Sequence, residues 1–249
     1  MVDEQLVRDG MSRAYELADK SGLEAACEAV MSFKEVRRKQ TQAEKTDPNR
    51  VNPMLDRHMD SDPIKALYFD ANVQAALKEN FGDDLFVWRS NFFVKSDGTG
   101  ENKWHHDRHF ENGTDAMDIY NTGNHFTLLF ALTDVDMNAG RVEYVRGSHK
   151  PIPGYDRDIP RHFKEVPDVI ADRVTPLPLE RGQFVMFYSS LIHRSLAFGE
   201  GDRRITMAAR VAHEGTEIPD YGIPNPAGGA QTEAEPNVYY RRTGIMKVA

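Results

Sequence analysis

The chain has 249 residues, 40% of them hydrophobic and 28% charged, with a formal net charge of −8. That length can bury a sizeable core, and all-β barrels of this size are commonly one domain, so a single domain over 1–249 is expected. The acidic balance argues against nucleic acid or an anionic membrane as partner. It is compatible with a small-molecule substrate, even an anionic one met by a few pocket arginines.

The opening residues, Met1 to Gln5, are polar and acidic and lack a charged-then-apolar signal pattern. Over residues 4 to 38, Leu6, Met11, Ala14, Leu17 and Ala18 recur at helical steps, as do Ala26, Val30, Phe33 and Val36. This predicts helix with a break near Ser21-Gly22. Cys27, the only cysteine, falls on that periodic face. No internal disulfide is possible, nothing implies an oxidising compartment, and a buried structural thiol is expected. The polar run from Arg37 to Pro48 reads as an exposed loop. Residues 62 to 80 predict one or two further helices, starting at Asp62-Pro63 and stopping at Phe81-Gly82-Asp83.

From Leu85 the pattern changes. Phe86 to Lys95 is aromatic and β-branched and breaks at Asp97-Gly98-Thr99-Gly100. Strand-like segments follow to about residue 212, which predicts an α+β arrangement of helices first and strands afterwards. The tail from Glu214 is rich in Pro and Gly and reads as irregular, with Tyr239-Tyr240-Arg241-Arg242 able to pack on the barrel or on a second subunit. No apolar run is long enough to span a bilayer, so a cytoplasmic protein is expected. The sequence sets no oligomeric state.

The most informative stretch is Trp104-His105-His106-Asp107, answered downstream by His193 and Arg204. Residues two apart on an extended strand point to one face, so His105 and Asp107 can grip one ion together. A third nitrogen from a distant strand completes two histidines and one carboxylate on one side of a metal, the set expected of non-haem Fe(II) oxygenases. On its own a His-x-Asp string is far more often an ordinary surface or core feature. Other segments accompany it here: Leu132-Thr133-Asp134-Val135-Asp136, Asn138 to Val145, Gly147-Ser148-His149-Lys150, and the apolar strand Gln183 to Tyr188 leading to His193.

With these motifs in this order, the chain resembles the phytanoyl-CoA dioxygenase family of Fe(II)- and 2-oxoglutarate-dependent oxygenases, over roughly residues 85 to 212. The resemblance implies a double-stranded β-helix, or cupin-like jelly roll, backed by the N-terminal helices. It implies His105, Asp107 and His193 as iron ligands, with 2-oxoglutarate and O2 taking the open positions and leaving as succinate and CO2. Arg204 stands at the family's offset from the distal histidine, where a guanidinium grips the far carboxylate of 2-oxoglutarate. Arg203, adjacent on a strand, would point the other way. Ser195 and Thr127 match family positions whose hydroxyls approach the cosubstrate.

Asp107 also separates two branches of chemistry. In related halogenases a small residue takes its place, so its presence favours hydroxylation of an unactivated C–H bond in a small metabolite. Desaturation, cyclisation or epimerisation by the same oxidant are alternatives. So, from other classes, are a non-catalytic jelly-roll binding protein and a zinc hydrolase or isomerase. His106 should face away from the ligands; Arg108, His109, Asn91 and Phe93 are candidate pocket residues. His149 is read as part of a structural turn. Gln183 follows Gly182 where relatives often carry an acid, which puts the local turn contacts in doubt.

Overall fold

The computed structural model describes residues 1–46, 52–107, 125–136, 138–155, 162–214 and 246–248. Helix α1 (Glu4–Asp9) is capped by the Asp3 carboxylate, which accepts from the backbone of Gln5 and Leu6. It ends at Gly10, whose φ of 84° suits a residue without a side chain. The helix expected through Ala18 therefore stops early. Residues 15–16 instead form a short strand, β1 (Tyr15–Glu16), paired with Phe184 and Gln183. The apolar spacing that suggested a helix here is that of an edge segment: Met11 is fully buried and bridges Phe187.

Helix α2 (Leu23–Lys39) buries Leu23, Ala26, Cys27 and Val30 on one face. The polar run after it is not all loop, because Gln42–Thr46 forms α3. A 3-10 turn (Arg57–Met59) leads to α4 (Asp62–Tyr68), which carries proline in its first turn, and to α5 (Ala71–Phe81), capped by Asp70. The strands follow as β2 (Leu85–Lys95), β3 (Asn102–His105), β4 (His125–Ala131), β5 (Val142–Val145) and β6 (His162–Phe163). After α6 (Asp168–Ala171) come β7 (Val174–Leu177), β8 (Gln183–Tyr188), β9 (His193–Ser195), β10 (Arg204–His213) and β11 (Met246–Lys247). Residues 246–247 thus pair with β2 and correct the expectation of a wholly irregular tail; Tyr239 to Arg242 lie outside the described residues.

The strands make two antiparallel sheets, ordered β1-β8-β4-β10-β2-β11 and β6-β3-β9-β5-β7. The first has both faces covered, which explains why all seven residues of β4 are buried. Phe126, Leu128 and Phe130 join Met207, Ala209 and Val211 of β10 against Leu23, Val30, Ile64, Tyr68 and Leu77 of the helices. The alternate residues Leu129, Ala131, Phe187 and Ala208 face the second sheet and meet Val142, Tyr144 and Leu177. Each fully buried side chain of this size contributes about 1.5–3 kcal/mol. The outer face of the second sheet closes over Trp104, Val145 and Ile192 with Ile170 of α6. Among the described residues no helix is long and apolar enough to cross a membrane.

Candidate metal centre

His105 and His193 are direct cross-strand partners on β3 and β9, so the sheet register alone turns both rings to one side. Their centroids lie 4.2 Å apart. Each ring nitrogen Nδ1 meets a nearby backbone carbonyl, of Lys103 at 2.7 Å for His105 and of Leu191 at 3.0 Å for His193. Donation from Nδ1 selects the tautomer whose Nε2 lone pair faces the cleft, the form a metal needs.

Asp107 arrives differently from the extended-strand expectation. Strand β3 ends at His105, and Asp107 is placed by its own backbone N–H, which donates to Ser189 O at 2.8 Å. His106 between them is buried. The Asp107 carboxylate stands 4.0 Å from His105 Nε2 and 3.9 Å from His193 Nε2. One ligand atom from each of the three lies within 4.8 Å of the others, a group that could hold a metal ion.

A cleft opens from this point. Its walls are Phe93, Leu129, Phe187 and Ala208, and its polar edge includes Thr127, Ser195, Thr206, Arg204 and Arg210. Phe93 therefore lines it, while Asn91 does not. Arg204 begins β10 and is 2% exposed, whereas Arg203, just before the strand, is exposed. The Arg204 guanidinium donates to Gly140 O and, at 3.2 Å, to Thr206 Oγ1. Its Nε has no partner among the described residues. Burial pushes its pKa down to about 10. Lys95, its partner across the strands, is likewise held down to about 8 by burial and then by the Arg204 charge. Its ammonium donates to the carbonyls of Gly100, Ser195 and Leu196. A buried guanidinium bonded only to neutral oxygens is costly to maintain, and a carboxylate ligand would balance it.

The buried Ser195 Oγ also lacks a partner among the described residues. The Thr127 hydroxyl is turned to the metal side, donating to Asp107 Oδ2 at 2.9 Å. Arg108 and His109 lie outside the described residues. Tyr144 is buried between the sheets, and Arg141 pairs with Glu143. Burial pushes the Glu143 carboxyl up, but hydrogen bonds from Arg141 and Arg194 hold it below its usual value. His149 stacks on Tyr188 at 5.0 Å. Gln183 supplies turn contacts of its own, accepting from the Glu180 N–H and donating to Glu16.

Sequence reasoning passed over Arg210. Its Nη2 donates to Asp107 Oδ1 at 2.7 Å and its Nη1 to Thr127 Oγ1 at 3.2 Å. The signal was available: Arg204, Thr206, Ala208 and Arg210 alternate on one face of β10.

The family model described as Phytanoyl-CoA dioxygenase (PhyH) matches residues 3–205. No curated protein matches the chain. Among solved structures, the chain is similar to the apo form of a non-heme monooxygenase, ThoJ, with a TM-score of 0.68 and 19% identity, covering 94% of this chain and 87% of that one. It is similar to the non-heme alpha ketoglutarate dependent epimerase SnoN from nogalamycin biosynthesis, with a TM-score of 0.65, 17% identity and coverage of 93% and 92%. SnoN has also been crystallised with Fe3+ and alpha ketoglutarate. EctD from S. alaskensis, solved with 2-oxoglutarate and 5-hydroxyectoine, gives a TM-score of 0.65 at 17% identity over 94% of this chain and 84% of that one. These likenesses establish the jelly-roll fold with its accompanying helices. The family match spans about four-fifths of the sequence, and the chain belongs to the phytanoyl-CoA dioxygenase family.

Proposed function

We propose that the chain is an Fe(II)- and 2-oxoglutarate-dependent dioxygenase that hydroxylates an unactivated C–H bond of a small metabolite. The observation that carries the reading is the pairing, in one cleft, of the His105-Asp107-His193 group with a buried Arg204 that bonds no carboxylate among the described residues. On this reading His105, Asp107 and His193 hold the iron on one side, and residues 1–249 act as a single domain whose helices back the sheet. When bound, the iron would let O2 oxidise 2-oxoglutarate to succinate and CO2, one oxygen atom entering succinate and the other entering the substrate as its new hydroxyl.

The protein's own part is placement. Carbonyl partners fix both imidazoles with Nε2 directed inward. Arg204 receives the far carboxylate of 2-oxoglutarate, and the unpartnered Ser195 hydroxyl lies within its cleft. Thr127 acts on the same site through the carboxylate it bonds. Phe93, Leu129 and Phe187 exclude water from the reacting groups. Asp107 fills the position that a halogenase leaves to a halide, which favours oxygen transfer over chlorination. The substrate class is a small polar or amino-acid-like molecule, with neither nucleic acid nor membrane required.

The test is a screen of small polar metabolites with Fe(II), 2-oxoglutarate and O2, read by succinate release and product mass. A substrate that raises succinate release and gains one oxygen atom supports hydroxylation, with loss of both in His193→Ala. Loss of a hydrogen pair would instead mean desaturation or ring closure, and an unchanged mass with altered stereochemistry would mean epimerisation.

A further inference from the structure

We infer that Arg210, acting with Thr127, is a positioning residue that locks the Asp107 carboxylate in one orientation and thereby sets how tightly the site holds its metal. The inference rests on the metal reading above and extends it to Arg210, which that reading leaves unexplained. Arg210, Thr127 and Asp107 form a closed ring of hydrogen bonds. Thr127 donates to Oδ2, Arg210 donates to Oδ1, and the Thr127 oxygen accepts the second Arg210 donor. All three side chains are buried, with Asp107 at 1% exposure. Every donor in the ring has an acceptor, and each carboxylate oxygen already carries one hydrogen bond.

Two consequences follow from ordinary physical chemistry. A free aspartate turns about its last torsion with little resistance, whereas one held at both oxygens cannot turn without breaking a charge-assisted bond. Oδ1 and Oδ2 are then held 4.0 Å from His105 Nε2 and 3.9 Å from His193 Nε2 respectively. Burying a carboxylate costs free energy unless a cation lies beside it. Arg210 supplies that cation at 2.7 Å. Arg210 competes with a metal for the same negative charge, and the orientation it imposes outweighs that competition.

The placement of Arg210 is built into the sheet. Arg210 and Thr127 are direct cross-strand partners on β10 and β4. The pairing of β10 with β2 shifts register between Arg210 and Val211, an irregularity of the kind that re-aims a neighbouring side chain. One face of β10 therefore serves both ends of the cleft, with Arg204 at the anion end and Arg210 at the carboxylate ligand.

The experiment uses Co(II) alone as the probe, titrated into the apoprotein and read by its visible d–d spectrum. Wild type, Arg210→Met, Arg210→Lys, Thr127→Val and His193→Ala are compared, with circular dichroism confirming the fold of each. We expect Arg210→Met to weaken Co(II) binding by roughly 10–100-fold and to change the d–d spectrum. Arg210→Lys should recover part of the affinity, since it keeps the charge and loses the fork, and Thr127→Val should show a smaller loss. Wild-type affinity and spectrum in folded Arg210→Met and Thr127→Val, with binding still lost in His193→Ala, would overturn this inference and leave the metal reading standing. Should Arg210→Met not fold, Thr127→Val and Arg210→Lys decide alone by the same criteria. A wild type that binds no Co(II) overturns the metal reading and this inference with it.

Discussion

At the scale of single residues, the Arg204 end of the cleft depends on a glycine. Gly140 sits at φ 72° and its carbonyl accepts from Arg204. A Cβ at that position would lie 2.8 Å from the Lys95 Cδ and 2.9 Å from the Leu196 carbonyl oxygen. Both the backbone angle and the space therefore exclude a side chain. Gly140→Ala should cost about 1–3 kcal/mol of stability from the strained backbone alone, measurable by urea unfolding. Because the carbonyl that holds Arg204 would move, the same variant should bind 2-oxoglutarate less tightly, as read by calorimetry on the metal-loaded protein. Unchanged stability and unchanged affinity together would show that the turn does not position Arg204.

At the scale of elements, the segment before α4 is fastened to β2 by buried polar groups. His58 Nδ1 meets Ser90 Oγ at 2.8 Å, and Asp56 exchanges backbone and side-chain bonds with the Ser90 peptide. Burial holds the His58 pKa down to about 4, from an ordinary value of 6.5. The folded state thus favours neutral His58. Its contribution is fully present above pH 6.5 and is lost as pH falls towards 4, by up to about 3 kcal/mol. Asp56 works in the opposite sense, since burial raises its pKa and lets the folded state keep a proton longer. The difference between wild type and His58→Gln isolates the histidine. Urea unfolding at successive pH values should show wild type losing more stability than the variant between pH 6.5 and 4. Parallel curves would mean that His58 is protonated in the fold without penalty.

Across the whole molecule, the long elements were legible in sequence because their signals are local. Strands β2 and β8 and helix α5 lie where alternation, helical period and capping residues put them. Strands β1 and β11, each two residues long, exist only because a distant strand offers an edge, and no local pattern announces that. The same division holds in the site. His105, Asp107, His193 and Arg204 line one cleft, although Asp107 reaches it from beyond the end of β3, and Arg204 is distinguished from Arg203 by burial. Alternation along β10 places Arg210 on the face of Arg204, but its pairing with Thr127, 83 residues away, depends on cross-strand register that a linear pattern does not carry.

That two-sheet frame brings the four residues into one cleft, and the central claim is that they bind iron and 2-oxoglutarate together. The direct measurement is an anaerobic titration of the apoprotein with Fe(II) and then 2-oxoglutarate, following the weak visible charge-transfer band of the chelated ketoacid. It needs no substrate. The account predicts a band in wild type, none in His193→Ala, and one reached only at higher 2-oxoglutarate in Arg204→Ala. Folded wild-type protein with iron bound and no band at any 2-oxoglutarate concentration would contradict it.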